Sequence, residues 1–237
     1  MVFSATEPLP VTQHRLFSAA ECADIQQRVL DLREHWIKRP ANGFYSLATA
    51  AYLDAPGRRG EYRQHAQETN PLLLEKFSDV YATVTEFFEQ LLFAPVRMTD
   101  EAALPGFHIF ELGRCGPDGD PSWRRVHFDL QRLDAFPSGG YEATLSFTVA
   151  IQQPPSGAAM DVWPLRYADA LLISMPITEW AATHPSRRMG YADGGITVHD
   201  GDVLHAIGSR SPADPPGRRL TLQGHGVLLD GAWILYW

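Results

Sequence analysis

Cysteine is scarce in this chain. Its 237 residues include two, Cys22 and Cys115, without the paired spacing of a metal knuckle or a disulfide framework. They read as reduced thiols of a cytoplasmic protein. Long apolar runs are missing too: none approaches the ~18 residues of a membrane-spanning helix. The opening stretch, MVFSATEPLP, has neither a basic segment nor an apolar one, so no signal peptide is expected. Positive charge is in deficit, with 20 Lys and Arg against 28 Asp and Glu and a net charge of −8. Partners with a dense negative surface, nucleic acid or an anionic membrane, are therefore not expected. Internal repeats and low-complexity segments are absent. What remains is ordinary globular composition, 45% hydrophobic and 20% charged. Nineteen glycines and eighteen prolines suit many short strands joined by turns better than a helical bundle.

The first helix is marked in FSAAECADIQQRVLDLREHW. Ser18 and Glu21 fit a capping box, and Cys22, Ile25, Val29, Leu32 and Trp36 recur at spacings of three and four. A second helix is expected over residues 71–92, with Pro71 near its start. Leu73, Phe77, Val80, Val84, Phe87 and Leu91 would form its apolar side. The stretch between reads as extended, with a turn at Pro56–Gly57. After about residue 95 short runs rich in Val, Ile, Thr and Phe alternate with Gly/Pro turns: GFHIFEL, RRVHFDLQRL, ATLSFTVAIQ, AAMDVWPL, ALLISMPI, GITVHDGDVLHAI, RRLTLQGHGVLL and AWILYW. This pattern predicts an α+β, mainly β fold, a double-stranded β-helix of jelly-roll or cupin-like type. The helices would pack on the outer face of one sheet. No domain boundary is visible, so a single domain over 1–237 is expected, mainly helical over 1–94 with its jelly-roll core over 95–237.

Two positions in RRVHFDLQ carry chemistry. In a strand, residues two apart point to one face, so His127 and Asp129 would project together with Phe128 behind them. Two histidines and one carboxylate with open positions form the facial triad of non-haem Fe(II) oxygenases. Alone, an H-x-D pair more often decorates a solvated strand. Downstream, His184 sits in a turn-like stretch and is expected to be exposed. His199 precedes the Asp200–Gly201–Asp202 turn, and His205 follows it on β-structure. In GRRLTLQGHG, strand alternation puts Arg219, Thr221, Gln223 and His225 on one face. Leu220 and Leu222 fall on the other, where the helices would cover them. An arginine with a hydroxyl two residues on is a good grip for a carboxylate.

In this order the chain resembles the Fe(II)- and 2-oxoglutarate-dependent oxygenases. The resemblance rests on HFD at 127–129, on His205, and on RLT at 219–221, with Arg219 fourteen residues after His205. The LFSAAEC helix entry is similar to the start of many members. The resemblance implies that His127, Asp129 and His205 ligate iron and that Arg219, assisted by Thr221, binds the distal carboxylate of 2-oxoglutarate. Arg218 is the alternative if the register shifts by one. The spacing between the Gly-Asp turn and His205 is shorter than in many members, and His199 is the runner-up ligand. His108 or Phe110 on the FHIFEL strand is a candidate cosubstrate contact. His225 and Arg125 are weaker candidates for substrate, Arg125 alongside Arg124. His14, His35 and His65 read as structural or exposed, and Trp163 and the WILYW end as packing.

The implied chemistry is oxidation of a small organic metabolite by O2, by hydroxylation, desaturation or cyclisation, with release of succinate and CO2. Asp129 favours a hydroxylase-type outcome over halogenation, which needs the carboxylate's position vacant. A natural-product or amino-acid-like substrate is preferred over a protein or nucleic acid. Two rivals are a cupin-type metalloenzyme without 2-oxoglutarate and a non-catalytic jelly-roll module that binds a carboxylate or sugar.

Overall fold

The structure is a computed structural model that describes residues 11–113, 125–130, 135, 140–208 and 215–237. Cys115 and Arg124 lie outside the described residues. Helix α1 (Ala19–Asp31) begins at the capping box: the Ser18 Oγ accepts from the Glu21 N–H, and the Glu21 carboxylate accepts from the Ser18 N–H. A 3-10 turn follows at Arg33–His35. The stretch expected to be extended contains strand β3 (Phe44–Leu47) but also a short helix α2 (Ala51–Asp54). Gly57 makes its turn at φ 70°.

The second helix departs from expectation. Helix α3 spans Arg59–Leu92 and Pro71 lies inside it. The residue before a proline ordinarily resists helix. Here Asn70 is buried and clamped, its amide donating to the Ala102 carbonyl (3.0 Å) and accepting from the Leu104 N–H (3.0 Å). The helix instead breaks stride at Phe77 (φ −136°, ψ 23°). Beyond that break the buried side runs through Val84, Phe88 and Leu92, with Phe87 and Leu91 only part-buried.

The sheets are mainly antiparallel. The larger runs β1 (Thr12–Arg15), β9 (Gly195–His199), β6 (Ala143–Gln152), β11 (Gly217–Leu229), β5 (Gly106–Leu112), β3, β2 (Ile37–Lys38). Strand β12 (Ala232–Tyr236) pairs with β11, and in parallel with β4 (Val96–Met98). The smaller sheet has the order β10 (Val203–Ile207), β7 (Ala159–Arg166), β8 (Arg187–Gly190). GITVHDGDVLHAI therefore holds two strands, one in each sheet, joined by the Asp200–Asp202 turn. ALLISMPI is not a strand: Tyr167–Ala170 is a helical turn, Pro176 caps a helix over Ile177–Thr183, and Leu172 is 85% exposed. Pro176 has no N–H to give a ladder.

Alternation along β11 divides the molecule as its sequence predicts. Leu220 and Leu222 are buried with Ile25 and Val29 of α1, Phe77 and Phe88 of α3, Phe147 of β6 and Val198 of β9. Burying such side chains stabilises by about 1.5–3 kcal/mol each. Gly224 leaves room on this face for the Phe147 ring. The opposite face of the large sheet, with Arg219, Thr221 and His225, looks away from α1, and those three are buried as well.

Candidate metal centre and carboxylate pocket

The site starts with main-chain bonds. His127 and His205 exchange both of theirs, the His127 N–H donating to the His205 carbonyl (2.9 Å) and the His205 N–H to the His127 carbonyl (3.0 Å). The Asp129 N–H donates to the Gly201 carbonyl (2.8 Å). Over its described residues, 125–130, the expected RRVHFDLQRL strand is a single bridge at His127 beside β10. Side-chain alternation still holds there. Val126 and Phe128 pack with Trp163, Leu165 and Leu204, while His127 and Asp129 turn the other way.

One ligand atom each from His127, Asp129 and His205 lies within 4.8 Å of the others. The His127 Nε2 is 3.7 Å from Asp129 Oδ1, and the His205 Nε2 is 3.7 Å from Asp129 Oδ2. The tautomers follow from the partners of the other ring nitrogens. His127 Nδ1 faces the Arg125 carbonyl at 2.6 Å and His205 Nδ1 faces the Val203 carbonyl at 2.9 Å. A carbonyl only accepts, so both Nδ1 atoms carry the proton and both Nε2 lone pairs are open toward the carboxylate. Burial pushes the His205 imidazole down to about 3, with Asp129 opposing. Burial alone would raise the Asp129 carboxyl; His205, His225, His127 and His199 around it hold it well below the usual carboxylate range. A carboxylate flanked by two imidazoles whose Nδ1 atoms are engaged by carbonyls, leaving Nε2 toward it, is the donor set of a divalent metal.

His199 is also here. Its Nε2 is 3.8 Å from Asp129 Oδ2 and its ring centroid 4.6 Å from that of His205. Its tautomer is the reverse of the other two: the Gly201 N–H donates to His199 Nδ1 (3.1 Å), so the neutral ring carries its proton on Nε2.

The second half of the site is a buried guanidinium. Arg219 is 1% exposed, and among the described residues its three nitrogens meet no acceptor beyond the nearby Tyr191 phenol. Among the described residues no carboxylate pairs with it. Its guanidinium lies 5.7 Å from the Phe110 ring centroid and 5.2 Å from that of Tyr191. Burial lowers its pKa, opposed by the Tyr191 phenol. Arg218 faces the other way, 27% exposed and 3.6 Å from Glu111. A buried, unmatched guanidinium is costly unless an anion joins it. Thr221 and His108 stand opposite each other on β11 and β5. The Thr221 Oγ1 accepts from Gln223 (3.4 Å), and His108 Nε2 meets the Tyr52 hydroxyl at 2.8 Å. Burial, then Arg219, Arg39 and His225, holds His108 far below the ordinary imidazole value, hence neutral.

Of the weaker candidates, His225 is buried with its Nδ1 2.9 Å from the Ser146 hydroxyl, and it acts electrostatically on Asp129. The Arg125 side chain is exposed; its carbonyl is what touches the site. His184 is exposed and stacked on Trp180. Tyr52, Tyr191, Ser146 and Gly201 escaped sequence reasoning. Tyr52 and Tyr191 lie in stretches without clear periodicity, and no local signal marks them.

No family model matches the sequence, and no curated protein matches it. Solved structures do match in shape. The N-substituted L-amino acid dioxygenase from Burkholderia ambifaria AMMD aligns with TM-score 0.55 at 15% identity, over 97% of this chain and 99% of that one. AviO1 from Streptomyces viridochromogenes Tue57 aligns with TM-score 0.50 at 12% identity, over 92% and 89%. The non-heme alpha ketoglutarate dependent carbocyclase SnoK, from nogalamycin biosynthesis, aligns with TM-score 0.50 at 15% identity, over 92% and 78%. The chain shares its fold with these solved proteins, among them a dioxygenase and a non-haem, alpha-ketoglutarate-dependent carbocyclase.

Proposed function

We propose that this chain is an Fe(II)- and 2-oxoglutarate-dependent oxygenase of a small organic metabolite, built on a jelly-roll core. The observation that carries the reading is Arg219: a buried guanidinium with no carboxylate partner among the described residues, on the sheet face that also bears Thr221 and His225. A metal site alone would not require it, which counts against a cupin-type enzyme without 2-oxoglutarate. The strand orders β5–β11–β6–β9 and His127 bridge–β10–β7–β8 support the double-stranded β-helix.

His127, Asp129 and His205 would hold Fe(II), and Arg219 with Thr221 would take the distal carboxylate of 2-oxoglutarate. When bound, iron and 2-oxoglutarate together supply the O2-driven oxidation of a C–H bond, with succinate and CO2 as coproducts. The chain's residues do the rest. The Arg125 and Val203 carbonyls fix the ring planes of the two histidines. Arg219 offers a planar fork preorganised for two charge-assisted hydrogen bonds. His108, neutral and anchored on Tyr52, closes the pocket without adding a competing charge. The shape likeness to an N-substituted L-amino acid dioxygenase and to a natural-product carbocyclase supports an amino-acid-like or natural-product substrate. Among the described residues no helix is long and apolar enough to cross a membrane.

The test is an anaerobic titration of metal-free protein with Fe(II) and then 2-oxoglutarate. A visible metal-to-ligand charge-transfer band should appear in wild type and vanish in His127→Ala. A wild-type protein that binds neither, or a band indifferent to His127, would end the oxygenase reading.

A further inference from the structure

Asp129 sits in a bracket formed by the turn at residues 199–202. The Gly201 carbonyl takes the Asp129 N–H (2.8 Å), and the Gly201 N–H points to His199 Nδ1 (3.1 Å). The His199 Nε2, 3.8 Å from Asp129 Oδ2, faces the carboxylate from the side of β9. The turn itself is tied down. The Asp202 N–H donates to Asp200 Oδ1 (3.1 Å), the Thr144 hydroxyl donates to the Asp200 carbonyl (2.7 Å), and Arg166 pairs with the Asp200 carboxylate (2.7 Å). Gly201 has φ 79°, and a Cβ there would stand 3.2 Å from both the Asp129 carbonyl oxygen and Ser146 Oγ. One glycine thus contacts the main chain of Asp129 through its C=O and sets the ring of His199 through its N–H.

We infer that His199 is not a metal ligand but the positioning residue for Asp129. Its Nε2–H orients the carboxylate so that one oxygen is left for the metal, and the Gly201 N–H enforces the tautomer that makes this so. The inference rests on the iron-site reading proposed above and sharpens it. Three histidines bring Nε2 within 3.8 Å of this carboxylate, and two of them present lone pairs to it. The third presents a proton. A ligand's neighbour commonly acts in this way, fixing geometry and basicity without touching the metal. Being a donor, His199 has a functional stand-in: the side-chain amide of glutamine places an N–H near the position of Nε2.

Two measurements decide the point. Long-range 1H–15N correlation spectra of metal-free protein at neutral pH should show His199 protonated on Nε2, and His127 and His205 protonated on Nδ1. Protonation of His199 on Nδ1 overturns the inference whether or not a metal binds. Co(II) titration followed by the d–d bands supplies the second. His199→Gln should keep one Co(II) with near wild-type affinity and spectrum. His199→Leu should bind about 10–100-fold more weakly, with shifted bands, and His205→Gln should lose the site. Loss of Co(II) in His199→Gln as complete as in His205→Gln would make His199 a ligand. An unchanged affinity and spectrum in His199→Leu would remove its positioning role. Failure of the oxygenase reading would look different: wild type would bind Co(II) yet give no charge-transfer band with Fe(II) and 2-oxoglutarate.

Discussion

His127 and His205, far apart in sequence, form a mutual hydrogen-bonded pair through their main chains, with ring centroids 4.3 Å apart. In such an antiparallel pair the two side chains leave the same face. The rings are brought together by backbone, not by their own contacts. His205→Ala should therefore abolish Fe(II) binding while leaving the segment docked. Isothermal titration should show no Fe(II) uptake, and thermal unfolding of the metal-free variant should stay close to wild type. His184→Ala, at an exposed ring stacked on Trp180, should change neither. Fe(II) uptake surviving in His205→Ala would refute the ligand assignment.

Arg219 and Arg218 give opposite expectations. Hydrogen bonds to a charged group contribute about 1.5–3 kcal/mol each. Losing a two-bond grip in Arg219→Ala should weaken 2-oxoglutarate binding by roughly two to four orders of magnitude. Arg218→Ala breaks only a half-exposed pair with Glu111, worth about 0–1 kcal/mol, and should leave affinity nearly unchanged. Arg219→Met should at the same time raise the melting temperature of the ligand-free protein, because it removes an unmatched buried charge. Equal effects of the two alanine variants on 2-oxoglutarate would reject the assigned register.

Acid should destabilise the metal-free protein well before its carboxylates titrate. In the native state burial, with smaller electrostatic contributions, holds His205 down to about 3 and His199 down to about 4. Each would take its proton near pH 6.5 in the unfolded chain. Between those values the unfolded state binds more protons, so stability falls as pH drops from about 6.5, by up to about 1.4 kcal/mol per pH unit for each such proton. Differential scanning calorimetry between pH 7 and pH 5 should show the decline, and His199→Gln should make it shallower. A melting temperature level across that range would contradict the buried neutral imidazoles.

What could be read from sequence divides along physical lines. β6 and β11 were legible because apolar and polar residues alternate along them, and the same alternation set Arg219 apart from Arg218. The H-x-D face was legible for the same reason, although its strand proved to be a single bridge. The extent of α3 was not, since Asn70 and its tertiary clamps carry the helix through Pro71 against local preference. ALLISMPI misled because its apolar residues suit a strand, yet no neighbouring ladder accepts them and Leu172 ends up in solvent. Spacing to Arg219 put His205 ahead of His199 in sequence, but the environment of each ring was invisible there. It depends on which backbone group meets each Nδ1, a carbonyl at Val203 or an N–H at Gly201.

The packing beside His108 depends on a glycine that no motif marks. A Cβ at Gly106 would overlap Cε3 and Cζ3 of Trp237 and stand 2.9 Å from the Leu47 carbonyl oxygen. The indole is fully buried and cannot swing out. Its residue is pinned by an N–H bond to the Ala103 carbonyl (2.8 Å) and by the Tyr62 hydroxyl donating to its own carbonyl (2.6 Å). Its ring centroid lies 4.9 Å from that of His108. Gly106→Ala should cost about 1–3 kcal/mol or more through overpacking, and the displaced indole should push on His108 and weaken 2-oxoglutarate binding. Gly60→Ala is the matched comparison: it lies in α3 with open space around its would-be Cβ and should be neutral or stabilise by about 0.5–1 kcal/mol. Chemical denaturation of the two variants reads the stability difference, and 2-oxoglutarate titration the transmitted effect. A Gly106→Ala protein as stable as Gly60→Ala would show that the indole has room to move.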